Sequence, residues 1–200
     1  HERIRDASDT EKRGDTMNIF ILDTDPVVAA QSQCDKHVVK MVTESAQMLS
    51  TAHRVLDGAI EKRLSSSGKT MGDYWALPDS REHVLMRAVH MKHPCTVWTM
   101  QSAHNYNWHY EHYCALSEEY SHRYGKQHGA FYNNEIGQAL KKLPQNISVA
   151  GLTQFPLAMK QFPQCIVEDD IVQSYQNFYR EAKADFAKWT RREIPAWYVA

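Results

Sequence analysis

No stretch of this 200-residue chain approaches the roughly 18 consecutive apolar positions that a membrane-crossing helix needs, so no membrane partner is expected. Paired cysteines are missing too. Cys34, Cys95, Cys114 and Cys165 lie far apart and make no C-x-x-C, which fits buried, inert thiols in a cytoplasmic protein. The eight glycines build no phosphate-binding loop, no dinucleotide fingerprint and no G-x-S-x-G elbow, which removes the commonest nucleotide-using enzymes. Nothing in these patterns calls for a cofactor. Charge of one sign is also lacking: 23 basic against 24 acidic side chains leave a net −1, so any nucleic-acid surface must come from local clustering of basic groups.

What is present describes one globular domain. Apolar residues make up 42% of the chain and charged residues 24%, and the length suits one hydrophobic core. Residues 1–16 (HERIRDASDTEKRGDT) are strongly charged and read as a tag remnant, an upstream extension or a disordered arm. The domain then occupies 17–200, and its pattern predicts an all-α fold: a compact bundle of several helices with a short N-terminal strand at Asn18–Leu22. Asp25-Pro26 should open a short helix to Ser32. From Cys34 to Leu56, Val38, Met41, Val42, Ser45, Leu49, Ala52 and Val55 recur at helical spacing, and Asp57-Gly58 stops the run. Residues 61–73 read as an exposed loop, Asp79-Ser80 as the cap of a helix to about Met91, and Pro94–Tyr124 as one long aromatic helix ended by Gly125. Asn134 should cap a short helix to Leu143, residues 144–167 form an irregular crossing, and a last long helix follows Asp169 or Asp170 as far as Trp189.

Three features bear on chemistry. His37, Lys40, Glu44 and Gln47 fall three, four and three apart, a strip bordering the apolar face of the Cys34–Leu56 helix, where a carboxylate at the edge of a cleft is partly desolvated. An ordinary solvated Lys40–Glu44 pair has the same spacing. His104, His109 and His112 cluster, and Glu119 with His122 makes one E-x-x-H. A third metal ligand is not evident, and histidines packed among tyrosines and tryptophans account for the cluster, so no metal site is assigned. Trp98, Tyr106, Trp108, Tyr110, Tyr113, Tyr120 and Tyr124 crowd one helix. With Arg123, Lys126 and His128 nearby they suit bases and phosphates, and equally a core of large side chains.

Together these segments resemble the phage pyrimidine-dimer DNA glycosylases (endonuclease V) and their bacterial relatives. Asp35-Lys36-His37 is followed seven residues later by Glu44, Lys40 stands four before that glutamate, and His93-Pro94 opens a helix with an early Trp98. SYQNFYREAK near the C-terminus is a further match. The short motifs are scattered over residues 17–190. The resemblance implies a glycosylase, with or without strand-cutting lyase activity, that excises a damaged or modified pyrimidine from duplex DNA. Glu44 would be the essential carboxylate, assisted by Lys40 and by His37, which would contact the DNA backbone, while Gln47, His93, Trp98, Arg123 and Lys126 would also contact DNA. The sequence departs from the family at the nucleophile, which there is an α-amine freed by methionine removal. Here residues 1–16 precede Met17 and Asn18 follows it, so the amine falls to Lys40 or Lys36, or the reaction is hydrolytic. Two other functions are compatible with the residues: a metal-assisted enzyme acting on a nucleotide or base, and a non-catalytic module binding nucleic acid through the aromatic helix.

Overall fold

A computed structural model describes residues 17–65 and 67–199; the expectations for residues 1–16 lie outside them. The fold is mostly helical and also holds a two-stranded antiparallel sheet, so it is not strictly all-α. Asp25 caps α1 (Pro26–Ser32) by accepting from the amides of Val27 and Val28. The central helix, α2 (Asp35–Asp57), buries Val38, Met41, Val42, Met48, Leu49 and Ala52. It ends at Gly58, where a Cβ would sit 2.4 Å from the Arg54 carbonyl oxygen, so only glycine fits.

After Gly58 the chain departs from expectation. The loop foreseen at 61–73 is a hairpin of β1 (Ala59–Leu64) and β2 (Met71–Ala76), paired from Ala59↔Ala76 to Leu64↔Met71. Both its faces meet water, so its polar composition hid the strands. The helix foreseen through Met91 is a single turn, α3 (Arg81–Val84). The reason lies in Arg54, which is fully buried and donates to the carbonyls of Trp75, Glu82, Leu85 and Met86 and to the Glu82 carboxylate. The Glu82, Leu85 and Met86 carbonyls would otherwise accept from later helical amides; the guanidinium takes them and the chain runs on extended. Burial alone pushes the Glu82 carboxyl up, but donors from Tyr74, Leu77 and Arg54 prevail and hold it down at about 2.

The long aromatic helix is also interrupted. The His93 ring caps α4 (Pro94–Gln101). Ser102 then breaks the run at φ −153° and caps α5 (Ala103–Tyr124) through the Asn105 amide. Gly125 ends α5 at φ +67°, as expected. Single turns α6 (Gly129–Tyr132) and α7 (Ile136–Ala139) lead into an irregular crossing, and α8 (Ile171–Ala182) is capped by Asp170 and stops well short of Trp189. A last turn, α9, spans Ala196–Val199. Helices α1, α2 and α4 pack on α5. Tyrosine hydroxyls pin the rest to it: Tyr106 donates to the Leu140 carbonyl, Tyr110 to Gly137 and Tyr113 to Ala130.

Met17–Leu22 is buried throughout, but it is not a strand, for no strand among the described residues pairs with it. Its peptide groups are met by side chains instead. Asn18 Oδ1 accepts from the amides of Ile19 and Phe20, Gln33 donates to the Ile19 carbonyl and Gln176 to that of Leu22. Phe20 sits at φ +57°, a left-handed conformation held by this packing.

Arg54→Ala would leave the carbonyls of Trp75, Glu82, Leu85 and Met86 without this donor and take the buried guanidinium from the half-buried Glu82 carboxylate. A stability loss of about 3–5 kcal/mol is expected in urea unfolding, against less than about 0.5 kcal/mol for Glu61→Ala on the exposed hairpin.

Candidate functional site

Residues Val39, Lys40, Thr43, Glu44 and Gln47 on the outer edge of α2, with His128 from the loop before α6, line a groove of about 480 Å³. His128 Nδ1 accepts from the Ala130 amide, so the neutral ring carries its proton on Nε2 and donates to the Val39 carbonyl at 2.9 Å. That bond fixes one wall. Glu44, 8% exposed, is held from two sides: the Asn18 amide donates to Oε2 at 3.2 Å, and Lys40 Nζ lies 3.3 Å from Oε1. A carboxylate that is nearly buried yet reaches a groove is placed to act on a bound group. Of the residues foreseen as a strip, Lys40, Glu44 and Gln47 meet here.

His37 does not join them. It is turned inward, 1% exposed, stacked on Phe20 with ring centroids 4.3 Å apart and hydrogen-bonded to the Tyr179 hydroxyl. Burial, then the positive charges of Lys183, Lys40 and Lys36, push its pKa well below the usual histidine range. A buried neutral imidazole cannot touch a DNA backbone, so its role is structural. Lys36 leans over the Phe186 ring, which leaves Lys40 as the amine beside Glu44.

Two of the expected DNA contacts are corrected in the same way. Trp98 is core, wedged between Trp108 and Phe155. Arg123 is buried and engaged by Glu119, Asp35 and the Gln31 carbonyl, as an unpaired interior charge would be too costly. Lys126 is exposed on the segment leading to His128, and His93 is half-buried at a second cavity, below.

Of the histidine cluster, His109 and His112 are committed to the interior, whereas His104 is exposed and bonds the Ala150 carbonyl. His109 bonds Thr99 and Ser45; His112 accepts from Gln33 and donates to the Pro26 carbonyl. Glu119 is taken by Arg123 and Arg192, and His122 by the Arg191 carbonyl. Among the described residues no three His, Cys, Asp or Glu side chains converge on one point, and the four cysteines are free thiols. No helix among them is long and apolar enough to cross a membrane.

Sequence reasoning missed Asn18. No periodicity marks it, and only the fold brings its amide, 26 positions away, to Glu44. Comparison with family models, with curated proteins and with solved structures gave no match.

The buried histidines make stability depend on pH. Burial and the Arg81 charge lower His53 to about 4, and burial lowers His112 to about 4, from an unfolded value of 6.5. The unfolded chain therefore takes up these protons first. The stabilisation is complete above pH 6.5 and is lost as pH falls towards 4. Urea midpoints should decline from pH 6.5 downward; a midpoint constant to pH 5 would contradict the assignment.

Proposed function

We propose that the protein is a DNA glycosylase that removes a damaged or modified pyrimidine from duplex DNA, with Glu44 as its essential carboxylate. The observation that carries this reading is the Glu44 carboxylate, nearly buried at a groove and gripped by the Asn18 amide and Lys40. The resemblance of Asp35-Lys36-His37 and Lys40 to the pyrimidine-dimer glycosylases points the same way.

In this reading a nucleotide flipped from the duplex brings its anomeric carbon to the groove. As the nucleophile attacks that carbon, the bond to the base breaks and the base leaves with the bonding pair and takes up a proton. Glu44 faces the positive charge that builds on the sugar and accepts the proton the nucleophile sheds. The nucleophile is the Lys40 amine or water, and the two leave different products. Attack by Lys40 yields an imine, which opens the way to strand cleavage by elimination; attack by water yields a hydroxylated sugar. Only the neutral amine is a nucleophile, so an amine route requires Glu44 to take a proton from Lys40 first. Gln47 and His128 flank the groove, and Lys126 supplies a positive charge on the neighbouring segment. With a net charge of −1, DNA affinity should be moderate and fall with salt.

Glu44→Gln should lower base release from ultraviolet-irradiated duplex by at least about 100-fold with folding and DNA binding retained. Wild-type excision by that variant would refute the assignment. Borohydride decides the route: a trapped protein–DNA adduct lost in Lys40→Ala assigns the amine, and base release without an adduct assigns water.

A further inference from the structure

A second cavity, of about 250 Å³, lies between the start of α4 and α8, walled by the irregular segment 157–162. His93, Pro94, Leu157, Lys160, Phe162 and Phe178 are among its lining residues, and none of that lining is acidic. The volume is under the roughly 300–1,000 Å³ of drug-sized sites and suits one ring system. Phe162 and Phe178, centroids 5.0 Å apart and inclined at 60°, offer aromatic surface to a planar guest. Lys160 is the one formally charged residue of the lining. Because His93 Nδ1 accepts from the Cys95 amide, the neutral ring has its proton on Nε2, a further donor for an anion. The segment 157–162 belongs to no helix or ladder, and peptide groups of that kind can read the edge of a base.

The cavity is coupled to Glu44 through one residue. The Asn18 side chain donates to the Ala158 carbonyl in the cavity wall at 3.0 Å while its own amide donates to Glu44. Two hydrogen bonds and one short side chain keep that carbonyl and the carboxylate within about 11 Å of each other, the scale of a nucleotide.

We propose that this cavity is a receptor for a single nucleobase bearing a phosphate, with the ring against Phe162 and Phe178, the phosphate at Lys160 and His93, and Asn18 as the positioning residue that ties it to Glu44. That the bound base belongs to the DNA being processed rests on the glycosylase reading; the affinity for a base does not.

Protein labelled with 4-fluorophenylalanine reports this directly by fluorine NMR, its six phenylalanines giving six signals and Phe162→Leu and Phe178→Leu assigning two of them. Titration with dTMP and dAMP should shift the Phe162 and Phe178 signals with saturation by about 10 mM. Lys160→Ala should weaken binding by about threefold, and Leu157→Trp, which fills the cavity, should abolish it. Deoxyribose 5-phosphate and octanoate, which share the phosphate or the apolar anionic character but have no base, should leave both signals in place. No shift at about 10 mM nucleotide, or an equal shift with either control, would overturn the proposal. Excision assays on the same proteins separate the two readings. Nucleotide binding without base release removes the glycosylase and leaves the receptor standing. Base release undiminished in a folded Leu157→Trp removes the tie between the cavity and Glu44 and leaves the glycosylase.

Discussion

The fold depends on one constraint: a chain segment sunk in the core without a strand beside it must find a partner for every peptide group. Met17–Leu22 answers it with one turn bond of its own, from the Leu22 amide to the Phe20 carbonyl, and with borrowed side chains, and each lender comes from a different part of the molecule. Gln33 follows α1, Gln176 is on α8, Glu44 is on α2, and Asn18 turns back on its own chain. The same bonds that make burial affordable therefore fix where α1, α2 and α8 stand. They also place Glu44, whose carboxylate serves the backbone on one side and opens to the groove on the other. An unmet amide in this position would cost about 1–3 kcal/mol, which is why a polar side chain persists at the edge of an apolar core.

Polar groups elsewhere in the interior follow the same logic. His109 ties Thr99 of α4 to Ser45 of α2, and His112 ties Gln33 to the first residue of α1. Asp35 receives Arg123 and Thr190, which holds the start of α2 to the end of α5 and to the C-terminal segment. The core is as much a hydrogen-bonded lattice as a packed one. Such a core rewards one arrangement strongly, because a shift of any helix leaves several buried donors unmet together.

Local signals were enough for much of this. The proline at the start of α1 with its aspartate cap, the heptad-like apolar run of α2, Gly58 and Gly125 as stops, and the irregular crossing around three prolines are all written in short windows. So was the Lys40–Glu44–Gln47 strip, since helical spacing alone sets it. What stayed hidden depends on distant partners. Arg54 ends α3 from some thirty positions away, and Ser102 divides an otherwise continuous helical pattern. Trp98, Arg123 and His37 looked like surface chemistry because their types favour it, whereas Phe155, Glu119 and Tyr179 claim them for the interior. Asn18 could not be read at all, since its amide and its side chain find Glu44 and Ala158 only in the fold.

The hairpin is clamped at one end. Trp75 and Leu77 give it to Arg54 and Glu82, while Leu64 and Met71 stand more than half exposed towards the tip. No described residue of 59–76 lines the groove or the aromatic cavity. A ribbon anchored at its base and exposed towards its tip tolerates changes of length, because extra residues there add little closure entropy and disturb no packing. The stretch 65–70 is thus a natural point for grafting a fluorophore, an epitope or a second domain, and the place where related chains can diverge in size while the interior stays as it is.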